Sequence, residues 1–171
     1  LRKLPDASFF VVADTLTALQ LLTSNHRKHF RIPVIGVTGS NGKTVIKEWL
    51  YQLMNDDKKI VRSPKSYNSQ IGVPLSVWQM NETHDLAIFE AGISEPKEMQ
   101  KLQAIIDPTI GIFSNIGQAH DENFINTEQK TGEKLNLFKK VDTLIYNIDH
   151  KEVHGAIIRS GILESISTFC W

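Results

Sequence analysis

The sequence of 171 residues predicts an α/β domain with three layers: a doubly wound, mostly parallel sheet covered by helices on both faces. Three observations carry that expectation. Short apolar runs recur without polar alternation, as in strands buried on both faces. Longer stretches of helical period separate them. A glycine-rich turn joins the first of the strong apolar runs to a long helix, where open parallel sheets gather ligands.

The elements follow in order. Residues 14–30 read as a helix leading into the domain, and 33–38 (Pro-Val-Ile-Gly-Val-Thr) as the first buried strand. Residues 43–54 are helical, with Ile46, Trp49, Leu50 and Leu53 as the apolar face. A strand at 59–62 precedes a helix at 73–80, whose Pro74 falls in the first turn. The run 85–90 is a second strong strand and 95–106 a helix. Residues 109–115 form a strand, 127–140 an amphipathic helix, 142–147 a strand, 150–158 a helix and 166–170 a last strand. Trp49 and Trp78, on apolar helical faces, are expected in the core.

Composition narrows the function. Nineteen basic residues balance nineteen acidic ones, so the chain lacks the bulk field that holds nucleic acid. No apolar run reaches the length of a membrane span and no signal-peptide layout opens the chain, so no membrane partner and a cytoplasmic setting are expected. The single cysteine, Cys170, fits a reducing compartment. Apolar runs close to both ends read as those of a fragment of a longer protein.

Polar residues fall at the carboxyl ends of the predicted strands: 38–44, Glu90, 115–120 and 147–149. The sharpest is Thr38-Gly39-Ser40-Asn41-Gly42-Lys43-Thr44. Glycines let backbone N–H groups approach phosphate, and a helix N-terminus adds partial positive charge. Lys43 is placed to reach the outer phosphates and the Thr44 hydroxyl to ligate Mg²⁺. The usual pattern asks for four residues between its glycines; Gly36 is one position too far from Gly42 and Gly39 too near. Gly-Lys-Thr in strand–loop–helix context remains.

That loop resembles the nucleotide loop of the Mur ligases and folylpolyglutamate synthetases, which share the shortened spacing. Further similarities follow in order: 68–75 (Asn-Ser-Gln-Ile-Gly-Val-Pro-Leu), 89–92 (Phe-Glu-Ala-Gly), 115–120 (Asn-Ile-Gly-Gln-Ala-His) with Glu122 and Phe124, and 133–138 (Glu-Lys-Leu-Asn-Leu-Phe). Within the family, Glu90-Ala91-Gly92 and the His120 segment look most like the branch that adds D-alanyl-D-alanine. The resemblance implies a central ATP-binding domain at 32–171, preceded at 1–31 by the tail of a UDP-sugar-binding domain and a linker helix, with the C-terminal ligase domain absent. It implies ATP-driven amide-bond formation with ATP and Mg²⁺. A carboxylate of UDP-N-acetylmuramoyl-tripeptide becomes an acyl phosphate, which the amine of D-alanyl-D-alanine displaces. By the same resemblance Lys43 binds phosphate, Thr44 and Glu90 hold Mg²⁺, and His120 helps hold a second metal ion. Lys134, once carbamylated, positions metal, and Asn68 and Gln70 face substrate. Ser69 and Gln70 stand where relatives show asparagine and an acid, which lowers the negative charge near the metals. Val45 replaces a further threonine.

Blander readings stand beside these. A lone strand-end Glu90 is commonly solvent-exposed, and a lone His120 is commonly a hydrogen-bonded loop residue. Lys134 by itself is one of several lysines on a solvated helix face, with Lys130, Lys139 and Lys140. Asn147 and Asp149 fit a nucleotide contact or a simple turn equally well. His26 to His29 could meet a phosphate but read more readily as a solvated helix end. Other functions in view are a sister ligase or a folylpolyglutamate synthetase-like ligase, a nucleotide-hydrolysing switch, and a nucleotide-binding module inactive on its own.

Overall fold

The computed structural model of the chain describes residues 8–117, 123–164 and 166–170. Among these the elements run α1 (Thr15–Arg27), β1 (Val34–Thr38), α2 (Lys43–Met54), β2 (Ile60–Arg62), α3 (Gly72–Val77), β3 (Leu86–Glu90), α4 (Glu98–Ile106), β4 (Ile110–Phe113), α5 (Thr127–Leu135), β5 (Thr143–Tyr146), α6 (Lys151–Ser160) and β6 (Ser167–Cys170). The described strands form one sheet in the order β2-β3-β1-β4-β5-β6, and every pairing is parallel. The doubly wound α/β expectation holds.

β1, β3 and β4 form the centre because their residues are apolar on both faces. Alternation then sorts side chains between two cores. Val34, Ala87, Phe89, Phe113 and Leu144 face the large core with α3, α4, α5 and α6, while Ile35, Val37, Leu86, Ile88 and Ile112 face α2. Helices thus cover both faces, unevenly. α2 packs its sheet face through Ile46, Leu50 and Met54.

That choice of face corrects the expected burial of the tryptophans. Ile46-Leu50-Met54 and Val45-Trp49-Leu53 are parallel stripes of the same spacing, and the first one faces the sheet. Trp49 is left 64% exposed and Leu53 79% exposed. Trp78 is 51% exposed. It caps the short α3 and lies against the His26 ring, with centroids 4.6 Å apart.

α1, α3, α4 and α5 are all shorter than their periodicity predicts, and the ends of α4 and α5 show why. α4 begins at Glu98 because Lys97 takes a left-handed φ of 71°. The Glu98 carboxylate accepts from the N–H groups of Ser94 (2.6 Å) and Glu95 (2.9 Å), closing the preceding turn. α5 tightens after Leu135 into a 3-10 turn that buries Leu137 and Phe138. The Phe138 ring fills the space over Gly111, where a Cβ would come within 2.4 Å of it.

α1 packs on α3 and α4. The expected solvated helix end does not hold for Arg27, which is 5% exposed. Its Nε donates to Ile106 O (2.9 Å), Nη2 to Asp107 O (2.9 Å) and Nη1 to Phe30 O (2.7 Å). The guanidinium therefore satisfies carbonyls at the end of α4 that no helical N–H reaches. Arg27→Ala should lower unfolding stability by about 3 kcal/mol, because charged hydrogen bonds and a packed stem are lost together. Urea denaturation followed by circular dichroism measures this, and a loss below about 1 kcal/mol would mean that water substitutes for the guanidinium.

Candidate functional site

β1 is the central strand, and its register fixes what lies at the carboxyl edge of the sheet. Val37 pairs with Glu90 and Thr38 with Phe113, so β1, β3 and β4 end at one level. The loop from Gly39 to Gly42 begins there and leads directly into α2. Gly39 has φ 143°, and a Cβ would lie 2.0 Å from Ser114 Oγ, so glycine is required by both backbone and space. Gly42 caps α2 at φ 80° without a side-chain hydrogen bond. The N–H groups of the first turn of α2 have no helical partner, an arrangement that favours anions.

The β4 end holds the loop. Ser40 N donates to Asn115 O (2.9 Å), Asn41 N to Asn115 Oδ1 (3.0 Å), and Ser114 Oγ to Asn41 O (2.7 Å). Gly117 N donates to Ser40 Oγ (2.9 Å). Thr38 is buried and donates through Oγ1 to Ala91 O (2.8 Å). Asn115 to Gly117 thus act as a brace for the loop. Sequence reasoning singled out the segment without that role.

Two groups of charged side chains meet this loop. On the α2 side, Glu90 is fully buried. Alternation along β3 sends Leu86, Ile88 and Glu90 to the α2 face, where Thr44 Oγ1 donates to Glu90 Oε2 (3.0 Å). Lys47 Nζ lies 2.9 Å from Glu90 Oε1. Among the described residues Oε1 accepts no well-aligned hydrogen bond, so the lysine meets it as an ion pair. A hydroxyl and a buried carboxylate side by side are hard oxygen donors and fit a Mg²⁺-type cation. The reading of Glu90 as a solvent-exposed carboxylate is corrected.

On the other side are three lysines. Lys43 Nζ donates to Gly39 O (2.8 Å) and Ser40 O (3.1 Å). Lys134 Nζ donates to the same Gly39 O (3.3 Å), and Lys130 Nζ to Gly117 O. Lys130 and Lys134 lie one turn apart on α5 and are buried, so the solvated-face reading is corrected for both; Lys139 and Lys140 are exposed. Burial, then the charges of Lys43 and Lys130, push the Lys134 amine down to about 7. Burial also lowers Lys43, against the attraction of Glu90.

A cavity of about 400 Å³ opens beside the loop, lined among others by Gly39, Lys43, Asn68, Gln70, Glu98 and Lys134. Asn68 O accepts from Gly92 N (2.8 Å). Gln70 is fixed from two sides: Gln20 Nε2 donates to its Oε1 (3.1 Å), and its own Nε2 donates to Glu98 O (3.2 Å). The structure therefore brings together residues 38–44, Asn68, Gln70, Glu90 and Lys134; His120 and Glu122 lie outside the described residues. Asn147 and Asp149 form a turn, Asp149 N donating to Asn147 Oδ1 (2.8 Å), beside a separate cavity of about 380 Å³. Lys47 and Lys130 were missed. The available signal for Lys47 was its place one turn after Thr44, on the side of α2 that meets the even-numbered residues of β3.

A parallel sheet with a glycine-rich strand–loop–helix turn at its central strand defines a domain of the phosphate-loop class. The chain belongs to the Mur ligase family: residues 37–165 match the Mur ligase middle domain. It is 39% identical over 111 residues to the UDP-N-acetylmuramoyl-tripeptide--D-alanyl-D-alanine ligase of Synechocystis, covering 65% of this chain and 24% of that protein. It is 34% identical over 149 residues to the ligase of the same name from Bacillus subtilis, covering 85% and 33%. The MurF ligase of Thermotoga maritima, solved in complex with ADP, superimposes with a TM-score of 0.82 at 26% identity, over 94% of this chain and 37% of that one. The chain thus spans about a quarter to a third of the length of the curated relatives it matches.

The lowered Lys134 amine has a consequence for stability. The unfolded chain keeps a proton on this lysine up to its ordinary 10.5, the folded chain only to about 7. Between those limits the unfolded state binds more protons, so this residue's contribution to folding stability rises with pH. The stability difference between wild type and Lys134→Met should grow in favour of wild type from pH 7 to 10, by up to about 1.4 kcal/mol per pH unit. Denaturant midpoints across that range test it, and a flat difference would mean an ordinary lysine.

Proposed function

We propose that this chain is the ATP- and Mg²⁺-binding part of a cytoplasmic peptidoglycan-precursor ligase that joins D-alanyl-D-alanine to UDP-N-acetylmuramoyl-tripeptide through an acyl phosphate. The observation that carries the reading is the convergence of Lys43, Thr44 and Glu90 on one loop at the helix N-terminus, in a chain whose curated relatives bear that name. No helix of the described residues is long and apolar enough to cross a membrane, in keeping with that setting.

The residues take the following parts. The first turn of α2 and residues 38–44 bind the triphosphate, with Lys43 leaving its carbonyl partners for the β- and γ-phosphates. Thr44 and Glu90 hold Mg²⁺, which supplies charge neutralisation at the transferring phosphoryl group. The cavity lined by Asn68 and Gln70 receives the substrate carboxylate close to Lys43 and Lys134. His120, following the loop brace, is assigned to a second metal ion. Lys134 is assigned as the carbamylated residue; lowered to about 7, its amine is in good part neutral near neutral pH, the form that adds to carbon dioxide with release of a proton. Enzymes of this kind work chiefly by positioning and charge neutralisation.

We read residues 1–31 as the end of a UDP-sugar-binding domain and its linker helix, and 32–171 as the central domain. A C-terminal domain would complete the adenine and amino-acid sites. The isolated chain should therefore bind nucleotide weakly and not ligate. Calorimetric titration with a non-hydrolysable ATP analogue and Mg²⁺ should give saturable binding, weakened at least about 30-fold, or roughly 2 kcal/mol, in Lys43→Ala. Equal binding by wild type and variant would overturn the assignment of the loop. In the full-length parent, formation of phosphate dependent on both UDP-N-acetylmuramoyl-tripeptide and D-alanyl-D-alanine separates this reading from a sister ligase using another amine.

A further inference from the structure

Lys47 Nζ bonds to no residue of the 39–42 loop, yet Lys47 is among the largest fully buried side chains of the described residues. α2 carries Thr44 and Lys47 one turn apart on the side that faces the end of β3. Their partners are the two oxygens of one carboxylate: Thr44 Oγ1 donates to Glu90 Oε2 at 3.0 Å, and Lys47 Nζ lies 2.9 Å from Glu90 Oε1. Lys47 Nζ also donates to Ser63 O (2.7 Å) and to Lys65 O, and lies 3.0 Å from Glu48 Oε1. Ser63 is itself tied to the site, because its Oγ accepts from Glu90 N (3.1 Å). One residue past Lys65, Ser66 Oγ lies 3.2 Å from Thr44 Oγ1.

A lysine is a costly way to fill this volume. An apolar chain of equal length would pack there without the desolvation that a buried ion pair carries. What the ammonium adds is orientation. It fixes one carboxylate oxygen and leaves the other turned toward the Thr44 hydroxyl. It also pins residues 63–65, which lead to Asn68 at the cavity wall.

Resting on the reading of Thr44 and Glu90 as the Mg²⁺ site, we propose that Lys47 is its positioning residue. It engages Oε1 of Glu90 and leaves Oε2, the oxygen beside Thr44 Oγ1, as the one that would hold Mg²⁺, and it joins the 63–65 segment to that carboxylate. Groups that orient a metal-holding side chain typically change metal affinity 10- to 100-fold when lost. Phosphate contacts made by the loop and α2 should be untouched.

The test is titration of ADP into wild type and Lys47→Met, each with and without Mg²⁺. Lys47→Met should bind metal-free ADP within about twofold of wild type, while the gain in affinity on adding Mg²⁺ falls about tenfold or more. Lys47→Arg, which keeps the charge, should recover part of that gain. A folded Lys47→Met with the wild-type Mg²⁺ gain, or one whose affinity falls equally with and without metal, overturns the assignment and leaves the nucleotide reading standing. A wild-type chain with no Mg²⁺ gain overturns the metal site and this assignment together. If Lys47→Met does not fold, the side-chain ε resonance of Lys47 in wild type, assigned with Lys47→Arg, decides. It should shift with Mg²⁺ and ADP and stay in place with ADP alone; an equal response to both overturns the proposal.

Discussion

The register of β1 between β3 and β4 is the constraint on which the site depends. A residue's shift on either side would move Glu90 from the α2 face to the large core, since side chains alternate along a strand. With Val37 beside Glu90 and Thr38 beside Phe113, the loop starts where its two neighbours end. Asn115 and Ser114 can then hold Ser40 and Asn41 by short hydrogen bonds, and α2 sets out at the height that brings Thr44 to Glu90. Glu90 specifies that register, because a slip would turn its carboxylate into the large apolar core, away from Thr44 and Lys47.

Charge is divided across the loop. On the α2 side a carboxylate is met by a lysine and a hydroxyl. On the α5 side Lys43, Lys130 and Lys134 each donate to carbonyl oxygens of the loop or its brace. Carbonyl dipoles satisfy ammonium N–H groups but do not cancel their charge. The mutual repulsion appears in the lowered amines of Lys134 and Lys43, for which burial is the first cause. A bound polyanion would relieve that repulsion, so the strain of assembling the lysines is returned as affinity for phosphate.

Much of this was legible in the sequence, for physical reasons. Strands buried on both faces leave continuous apolar runs, and 85–90 and 33–38 were placed to within a residue of β3 and β1. The loop was legible because glycine at Gly39 and Gly42 answers a backbone need that few residues meet. Periodicity could not choose between the two stripes of α2, since Ile46-Leu50-Met54 and Val45-Trp49-Leu53 share one spacing; which stripe meets the sheet is set by the angle at which the loop delivers the helix. Buried lysines were invisible for a related reason. Lys47, Lys130 and Lys134 look in sequence like any exposed lysine, and only their neighbours in space, Glu90 and the loop carbonyls, account for their burial. Arg27 likewise needed the end of α4, about 80 residues away, to be explained.

The cavity wall shows how neutral and charged groups divide the work of recognition. Gln70 stands where relatives of the family show an acid, and its amide is held by Gln20 on one side and by Glu98 O on the other. An amide so fixed presents a defined hydrogen-bonding edge but no charge. Glu98, a carboxylate of the lining, turns Oε2 to the N–H groups of Ser94 and Glu95. Lys43 and Lys134 are therefore the lining amines nearest the loop; Lys43 brings positive charge, and Lys134, lowered to about 7, carries it only in part. With an acid at position 70 part of that potential would be cancelled; with glutamine it is kept. Such a cavity favours an anionic group, a carboxylate or a phosphate, over an ammonium group.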